Sequence, residues 1–384
     1  MSTWSREPAA RTADSPPVRA PQAPDYVLLL TSAALLALGL VMILSSSSVT
    51  AAASAASHYD PYYYFQRQVL WVGVGLGAFL ICYHVDYHHW RTLAPLCLAG
   101  TLALLLLVLL VGRQVNGSQR WLGLGPAVVQ PSEIAKLTMV IVLSALLAGR
   151  TERQLRSFWR GAFPALALAG LAAGLILKEP DLGTAAALAA TAMVLLYVGG
   201  VPFGQLAATG GAAVPALAAA ILGSPYRRER FLAFLHPAAQ SQQGGYHILQ
   251  SLYALGSGGL FGVGLGQSRQ KWFYLPEEHT DFIFAVLGEE LGFIGVVLVL
   301  ALFGVLIWRG YRIAAQAPDL FGTLLAAGLT TMLAVQAIVN IAVVSGLLPV
   351  TGIPLPMISY GGSSLLFTLA GLGILAGISR HARA

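Results

Sequence analysis

The chain has 384 residues, of which 57% are hydrophobic and only 10% charged, and it carries a net charge of +6 at pH 7. Soluble domains sit at about 45–50% apolar and about 25% charged, so a mean hydropathy of +0.72 excludes one. The positive charge is no nucleic-acid footprint, and no nucleic-acid partner is expected: basic residues in such a chain set topology and meet anionic membrane lipid.

Residues 1–24 are rich in Pro, Ala, Ser and Arg and lack an apolar core, the composition of a disordered tail. The apolar run that starts at Tyr26 is too long for a signal-peptide core and is expected to stay as a span. Ten spans follow from the apolar runs: 26–48, 68–84, 93–112, 131–148, 161–177, 182–199, 203–222, 281–308, 319–346 and 359–379. No ten-residue alternation of a barrel is present, so the spans are helices. The expected fold class is an all-α polytopic membrane protein, with residues 25–384 as one domain and a large extracytoplasmic loop, 223–280, between spans 7 and 8.

An even number of spans puts both termini on one side. With the termini inside, 12 basic residues face the cytoplasm, against 4 in the short outer loops and 5 in the long one. The positive-inside rule therefore favours cytoplasmic termini. Cys82 and Cys97 lie in or beside apolar runs and imply no disulfide. The long loop holds an amphipathic stretch, Tyr246–Leu255, and a glycine-rich run, 256–266, whose backbone is open enough to approach a phosphate.

Charge is scarce, so each cluster carries weight. Glu133 and Lys136 share a helical face at the head of the fourth span. They suit either a structural ion pair or a cation held for an anionic substrate. Lys178 and Glu179 form a charge pair in a minimal turn, where Pro180 breaks the helix and Asp181 can cap the next one. Arg227, Arg228 and Arg230 open the long loop. Their planar forks suit a pyrophosphate, or lipid headgroups. His84, His88 and His89 look metal-like but fall on the expected cytoplasmic side, away from the other clusters.

Five of the 16 carboxylates lie between residues 275 and 292: Glu277, Glu278, Asp281, Glu289 and Glu290. A helix starting near Asp281 and running to Trp308 is about 40 Å long at ~1.5 Å per residue, more than the ~30 Å hydrocarbon core. Asp281 is then expected at the outer interface, where a general base would meet a lipid-linked molecule. Glu289 and Glu290 fall deeper and need partners such as Lys136 or Arg120. Glu277 and Glu278 are expected on a solvated rim.

Several segments together resemble the SEDS family of membrane glycosyltransferases, the FtsW, RodA and SpoVE proteins. They are Arg120-Trp-Leu-Gly-Leu-Gly125, Gln130-Pro-Ser-Glu-Ile-Ala-Lys136, Glu179-Pro-Asp-Leu-Gly183, Tyr246 to Gly266, Tyr274-Leu-Pro-Glu-Glu-His-Thr-Asp-Phe-Ile-Phe284 and Gly352-Ile-Pro-Leu-Pro-Met-Ile-Ser-Tyr-Gly-Gly-Ser-Ser364. They stand in the family's order over nearly the whole chain after Pro24. The run Gly264–Lys271, followed by Tyr-Leu-Pro-Glu, looks like the FtsW/SpoVE branch.

The resemblance implies polymerisation of lipid II into β-1,4 glycan strands with inversion, in the bacterial cytoplasmic membrane, beside a class B penicillin-binding protein. It places the family's essential aspartate on Asp281 and its conserved glutamate and lysine on Glu133 and Lys136. An inverting transfer needs one base, here Asp281, and cations on the departing pyrophosphate. Lys136, Arg120, Lys178 and the arginines of 227–230 are the candidate cations. A divalent ion, Mg2+ or Mn2+, could share that work. Asp181, His279, Ser359, Gly361 and Gly362 are candidates for lining the same cavity. The competing function is a lipid II flippase. The charges concentrate on the outer half of the chain, which favours the enzyme.

Overall fold

A computed structural model describes residues 23–115, 118–124, 127–237 and 244–381. The tail expected at 1–24 lies outside the described residues but for its last two. In chain order the helices begin with α1 (Tyr26–Ala53), α2 (Tyr63–His84) and α3 (Tyr87–Val111). A three-stranded antiparallel sheet follows, β1 (Arg113–Val115), β2 (Ser118–Leu124) and β3 (Ala127–Val129). Next come α4 (Pro131–Ala148), a short α5 (Glu152–Arg156), a π turn over Phe158–Ala162 leading into α6 (Phe163–Lys178), α7 (Leu182–Val198) and α8 (Phe203–Leu222). The long loop carries α9 (Pro225–Leu235) and α10 (Gly244–Ser257). The chain closes with α11 (Ile283–Gln316), α12 (Leu320–Val344) and α13 (Gly362–Ser379).

Among the described residues nine helices are long and apolar enough to cross a membrane, and α7 is a shorter apolar one. The protein is an all-α, multi-pass membrane protein, and the ten expected spans correspond to these ten helices. The β sheet was not expected. It fills the short connection between α3 and α4, and Arg120 stands on its middle strand.

Burial sorts the helices. α4, α12 and α13 are mostly buried, whereas α2 and α3 expose most of their length. Leu96 and Leu110 on α3 are exposed apolar side chains of the kind that face lipid tails. Small residues let backbones meet inside the bundle: a Cβ at Gly373 of α13 would lie 2.4 Å from the Phe79 carbonyl oxygen of α2.

Two polar knots mark the ends. At one end Asp25 caps α1 through Leu28 N–H (3.0 Å) and accepts from Arg309 Nε of α11 (2.8 Å). The Asp25 N–H donates to Ser379 Oγ at the end of α13 (3.1 Å), so the start of α1 and the end of α13 share that end. At the other end Thr50 of α1 donates to Glu278, and the Tyr360 N–H donates to the His279 carbonyl (2.9 Å).

α11 is not the single overlong rod the sequence suggested. It starts at Ile283, and Gly292 breaks it at φ 67° and ψ −166°. The glycine-rich segment causes the break by exchanging bonds with the helix. Val263 and Gly264 N–H donate to the Glu289 and Glu290 carbonyls (3.0 and 3.1 Å), and Phe293 and Ile294 N–H donate to the Gly259 and Leu260 carbonyls (2.9 and 3.2 Å). These glycines serve backbone-to-backbone packing rather than a phosphate. A Cβ at Gly262 would lie 2.1 Å from the Glu290 carbonyl oxygen.

Candidate active site

Asp281 sits in the irregular stretch before α11, not in its first turn. Its backbone carbonyl accepts from Asn340 Nδ2 of α12 (2.8 Å), and the same nitrogen donates to the Ile353 carbonyl (2.8 Å). Gly352 lies against the carboxyl: at φ +77°, a Cβ there would come 3.5 Å from Asp281 Oδ2. The next ring, Phe282, stacks on His247 of α10 at 5.7 Å. Asp281 is half-buried. Burial pushes its pKa up to about 7. The Glu277 and Asp181 charges add to the rise, and Arg230 and Arg120 oppose it.

A small open recess lies nearby, lined by Pro180, Leu182, Arg227, Arg230, Phe231 and Thr351 among others; Thr351 precedes the Gly352 that lies against the carboxyl. Its wall is the 349–353 segment, which lies over the start of α7, where a Cβ at Gly183 would meet Thr351 Cβ at 2.8 Å. Arg230 donates to the Val350 carbonyl (3.2 Å). Arg227 is spent on the Leu177 and Ala220 carbonyls (2.7 and 3.0 Å), and Arg228 is exposed. The three arginines therefore do not form one clamp; Arg230 is the one in the field of Asp281.

The turn between α6 and α7 completes the site. Arg120 Nε donates to the Glu179 carbonyl (3.0 Å) and Nη2 to that of Pro180, with Nη1 4.0 Å from Asp181 Oδ2. Asp181 caps α7 through Thr184 N–H (3.0 Å) and also accepts from Thr184 Oγ1 (2.9 Å) and Gln130 (3.2 Å). Glu179 is fully buried, and neither carboxyl oxygen has a hydrogen-bond partner among the described residues. Burial first, then Asp181, lifts its pKa to about 8 against the pull of Arg120. The expected Lys178–Glu179 pair is not formed, because the helix end turns Lys178 outward to an exposed position.

Other expected site residues lie elsewhere or serve packing. Lys136 is 4% exposed and bonds Glu133 Oε1 and Gln336 Oε1, both at 2.8 Å. This is a buried pair between α4 and α12 inside the bundle, and the structure does not bring it to the Asp281 carboxyl. Glu289 and Glu290 meet neither Lys136 nor Arg120. Glu289 accepts from Ser268 Oγ (2.5 Å) and Arg269 N–H (3.0 Å), and Glu290 accepts from Ser45 Oγ of α1 (2.7 Å) and faces Lys271 (3.5 Å). The break at Gly292 folds the preceding loop back onto them.

Glu278 is no solvated rim either. It is buried 3.5 Å from His279 Nδ1; burial pushes its pKa up, but the nearby His279 and the bond from Thr50 outweigh that and hold it below the usual carboxylate value. Glu277 is exposed, as expected. The His279 ring lies tilted against Tyr64, with centroids 4.5 Å apart. Ser359 Oγ accepts from Leu355 N–H (2.8 Å), Gly361 N–H donates to Gln68 (3.4 Å), and Gly362 lies against the Trp71 indole. The loop between α12 and α13 thus anchors the wall, while Gly352 and Thr351 face the site.

Gln336 and Asn340 were missed. Two amides one turn apart in an apolar span are a signal of the same kind as Lys136. No group of three or more His, Cys, Asp or Glu side chains that could hold a metal ion exists among the described residues, the three histidines included. Asp181 is already occupied by Thr184, Gln130 and Arg120, so the donor set does not fit a protein cage for Mg2+ or Mn2+.

The geometry is that of a polytopic membrane protein with two raised carboxylates, Asp281 and Glu179, in the field of arginines at one end of its bundle. The family model described as "Cell cycle protein", FtsW/RodA/SpoVE, matches residues 26–384. The chain belongs to this family. It is 45% identical over 362 residues to "Stage V sporulation protein E" of Bacillus subtilis (strain 168), covering 94% of this chain and 98% of the relative. It is 42% identical to "Probable peptidoglycan glycosyltransferase FtsW" of Trichlorobacter lovleyi, covering 92% and 93%. Among solved structures, the rod shape determining protein RodA of Thermus thermophilus matches with a TM-score of 0.69 at 34% identity, covering 94% of this chain and 98% of that one. A chain from the work described as "Structural coordination of polymerization and crosslinking by a peptidoglycan synthase complex" matches with a TM-score of 0.78 at 35% identity, covering 93% and 98%.

Proposed function

We propose that the chain is a peptidoglycan glycosyltransferase that joins lipid II units into β-1,4 glycan strands, with residues 25–384 acting as one unit. The observation that carries this reading is the Asp281 carboxyl, held near neutrality between acidic neighbours and Arg230 and Arg120 beside an open recess. A base poised near the working pH is what proton abstraction from a sugar hydroxyl requires.

Asp281 takes the proton of the acceptor GlcNAc 4-hydroxyl as its oxygen bonds to the anomeric carbon of the donor MurNAc. The bond from that carbon to the pyrophosphate oxygen breaks, and the electron pair leaves with the polyprenyl pyrophosphate. Attack from the face opposite the leaving group turns the α linkage into β. Arg230 and Arg120 stabilise the charge that grows on the leaving group.

The 45% and 42% identities to SpoVE and FtsW relatives, against 34% to RodA, support the FtsW/SpoVE branch. The peptidoglycan synthase complex among the structural relatives supports a class B penicillin-binding protein as partner. The basic residues of the loops support a bacterial cytoplasmic membrane with both termini inside.

The test is purified protein given labelled lipid II. Wild type is expected to make glycan strands, and folded Asp281→Asn to make none. Unchanged polymerisation by that variant would remove Asp281 as the base. Lipid II scrambling in proteoliposomes that survives the substitution, without polymerisation by wild type, would favour the flippase.

A further inference from the structure

Asn340 is 2% exposed on α12, and its side-chain nitrogen is bonded to two carbonyls of distant segments. The orientation of its amide is settled by those contacts: turned over, Oδ1 would face two carbonyl oxygens and both bonds would be lost. Its Oδ1 is buried without a partner among the described residues, so the amide meets the two carbonyls at a cost to its own acceptor. Both carbonyls belong to the site. One is that of Asp281; the other is that of Ile353, beside Gly352, whose Cα faces the carboxyl.

One turn down the same helix, Gln336 accepts from Lys136 and donates to the Met332 carbonyl (3.1 Å). The buried Lys136–Glu133 pair is thus tied to the helix that carries Asn340. This gives the pair a reason to exist inside the bundle without touching substrate.

We infer that Asn340 is a positioning residue for the transfer reaction: it fixes the Asp281 backbone to the 349–353 wall, so that base and recess keep one geometry. The inference rests on Asp281 being the base. The donor has to be a short neutral amide. An apolar side chain leaves both carbonyls unbonded, and a carboxylate repels them while adding a charge to the field of Asp281, already set by Glu277, Asp181, Arg230 and Arg120. A displacement of about 1 Å at a reacting group costs on the order of 100-fold in rate.

The experiment compares wild type, Asp281→Asn, Asn340→Leu and Asn340→Asp in one lipid II polymerisation assay, with kcat, KM and the pH profile measured on protein that passes gel filtration. Asn340→Leu is expected to lose about 100-fold in kcat, with KM within about 3-fold. Asn340→Asp keeps the volume should the leucine variant not fold, and is expected to move the midpoint of the rising pH limb upward. A merely structural role would lower the amount of folded protein and leave kcat per folded molecule and the pH midpoint unchanged, which would overturn the inference. If Asp281→Asn is inactive while both Asn340 variants match wild type, the positioning role alone fails. If Asp281→Asn polymerises normally, the base and its positioning residue fall together.

Discussion

Asp281 titrates near neutrality because a desolvated carboxyl is pulled both ways by its neighbours. Burial, Glu277 and Asp181 favour the proton; Arg230 and Arg120 favour the anion. With the anion as the proposed base, the polymerisation rate is expected to rise as pH passes through about 7. Removing an acidic neighbour by Glu277→Gln should shift the midpoint to lower pH, and removing a cation by Arg230→Met should shift it higher. Initial rates of lipid II consumption against pH test this, and shifts of the same sign in both variants would sink the electrostatic account.

Glu179 makes a second prediction. Its pKa rises from the ordinary 4.5 to about 8, so the folded protein holds this proton more tightly than the unfolded chain. Its stabilising effect is full below about 4.5 and is lost progressively as pH rises towards 8, beyond which the loss is complete. Glu179→Gln removes the ionisation, so its melting temperature is expected to match wild type at pH 4.5 and exceed it at pH 8. A constant difference across that range would refute the assignment. At this scale Asp281 was legible in the sequence as a candidate, because a carboxylate is rare next to a long apolar run, and the Asp281→Asn assay tests its role. The partners of Glu289 and Glu290 were not, since Ser45 lies 245 residues away and Ser268 belongs to a folded-back loop.

The nine helices long enough to cross a membrane among the described residues, and the shorter α7, were legible as apolar runs, because a bilayer demands length and hydrophobicity. The break in α11 was not. Glycine is common in membrane helices, and what makes Gly292 special is a loop that replaces its helical bonds. The sheet was equally hidden, since its outer strands are 3 residues long. The exchange between this loop and helix predicts an ordering of glycine substitutions. Gly262→Ala places a side chain on a residue at φ +79° and against the Glu290 carbonyl, and is expected to destabilise by at least about 2 kcal/mol. Gly174→Ala in α6 meets no atom within 4 Å and is expected to be neutral or mildly stabilising. Thermal unfolding in detergent would rank the two, and equal melting temperatures would argue against the loop as the cause of the break.

At the scale of the molecule, the same-end contacts of Asp25 with Arg309 and Ser379 make the topology testable. With Cys82 and Cys97 replaced by serine, Tyr59→Cys in the α1–α2 connection is expected to react with an impermeant maleimide on intact cells. Glu152→Cys on α5 is expected to react only after permeabilisation. The reverse pattern would invert the proposed orientation. What composition could not convey was how the outer segments fold over the bundle. The recess wall, the Arg120 turn and the base come from four parts of the chain, and their meeting depends on single bonds such as those of Asn340.

The break at Gly292 has a mechanical consequence. Below the break α11 runs on to Gln316, about 36 Å of helix at ~1.5 Å per residue, against a ~30 Å hydrocarbon core. Membranes differ in thickness, and a shaft this long must lean to fit them. With its ladder interrupted at Gly292, the lean is taken up below the joint, while the segment bearing the base stays moored to the loop. The Asp281 segment is thereby expected to respond little to the thickness of the membrane. Polymerisation in bilayers of short and long acyl chains is expected to change less for wild type than for Gly292→Ala, and a wild-type rate that tracks bilayer thickness as steeply as the variant's would refute that expectation.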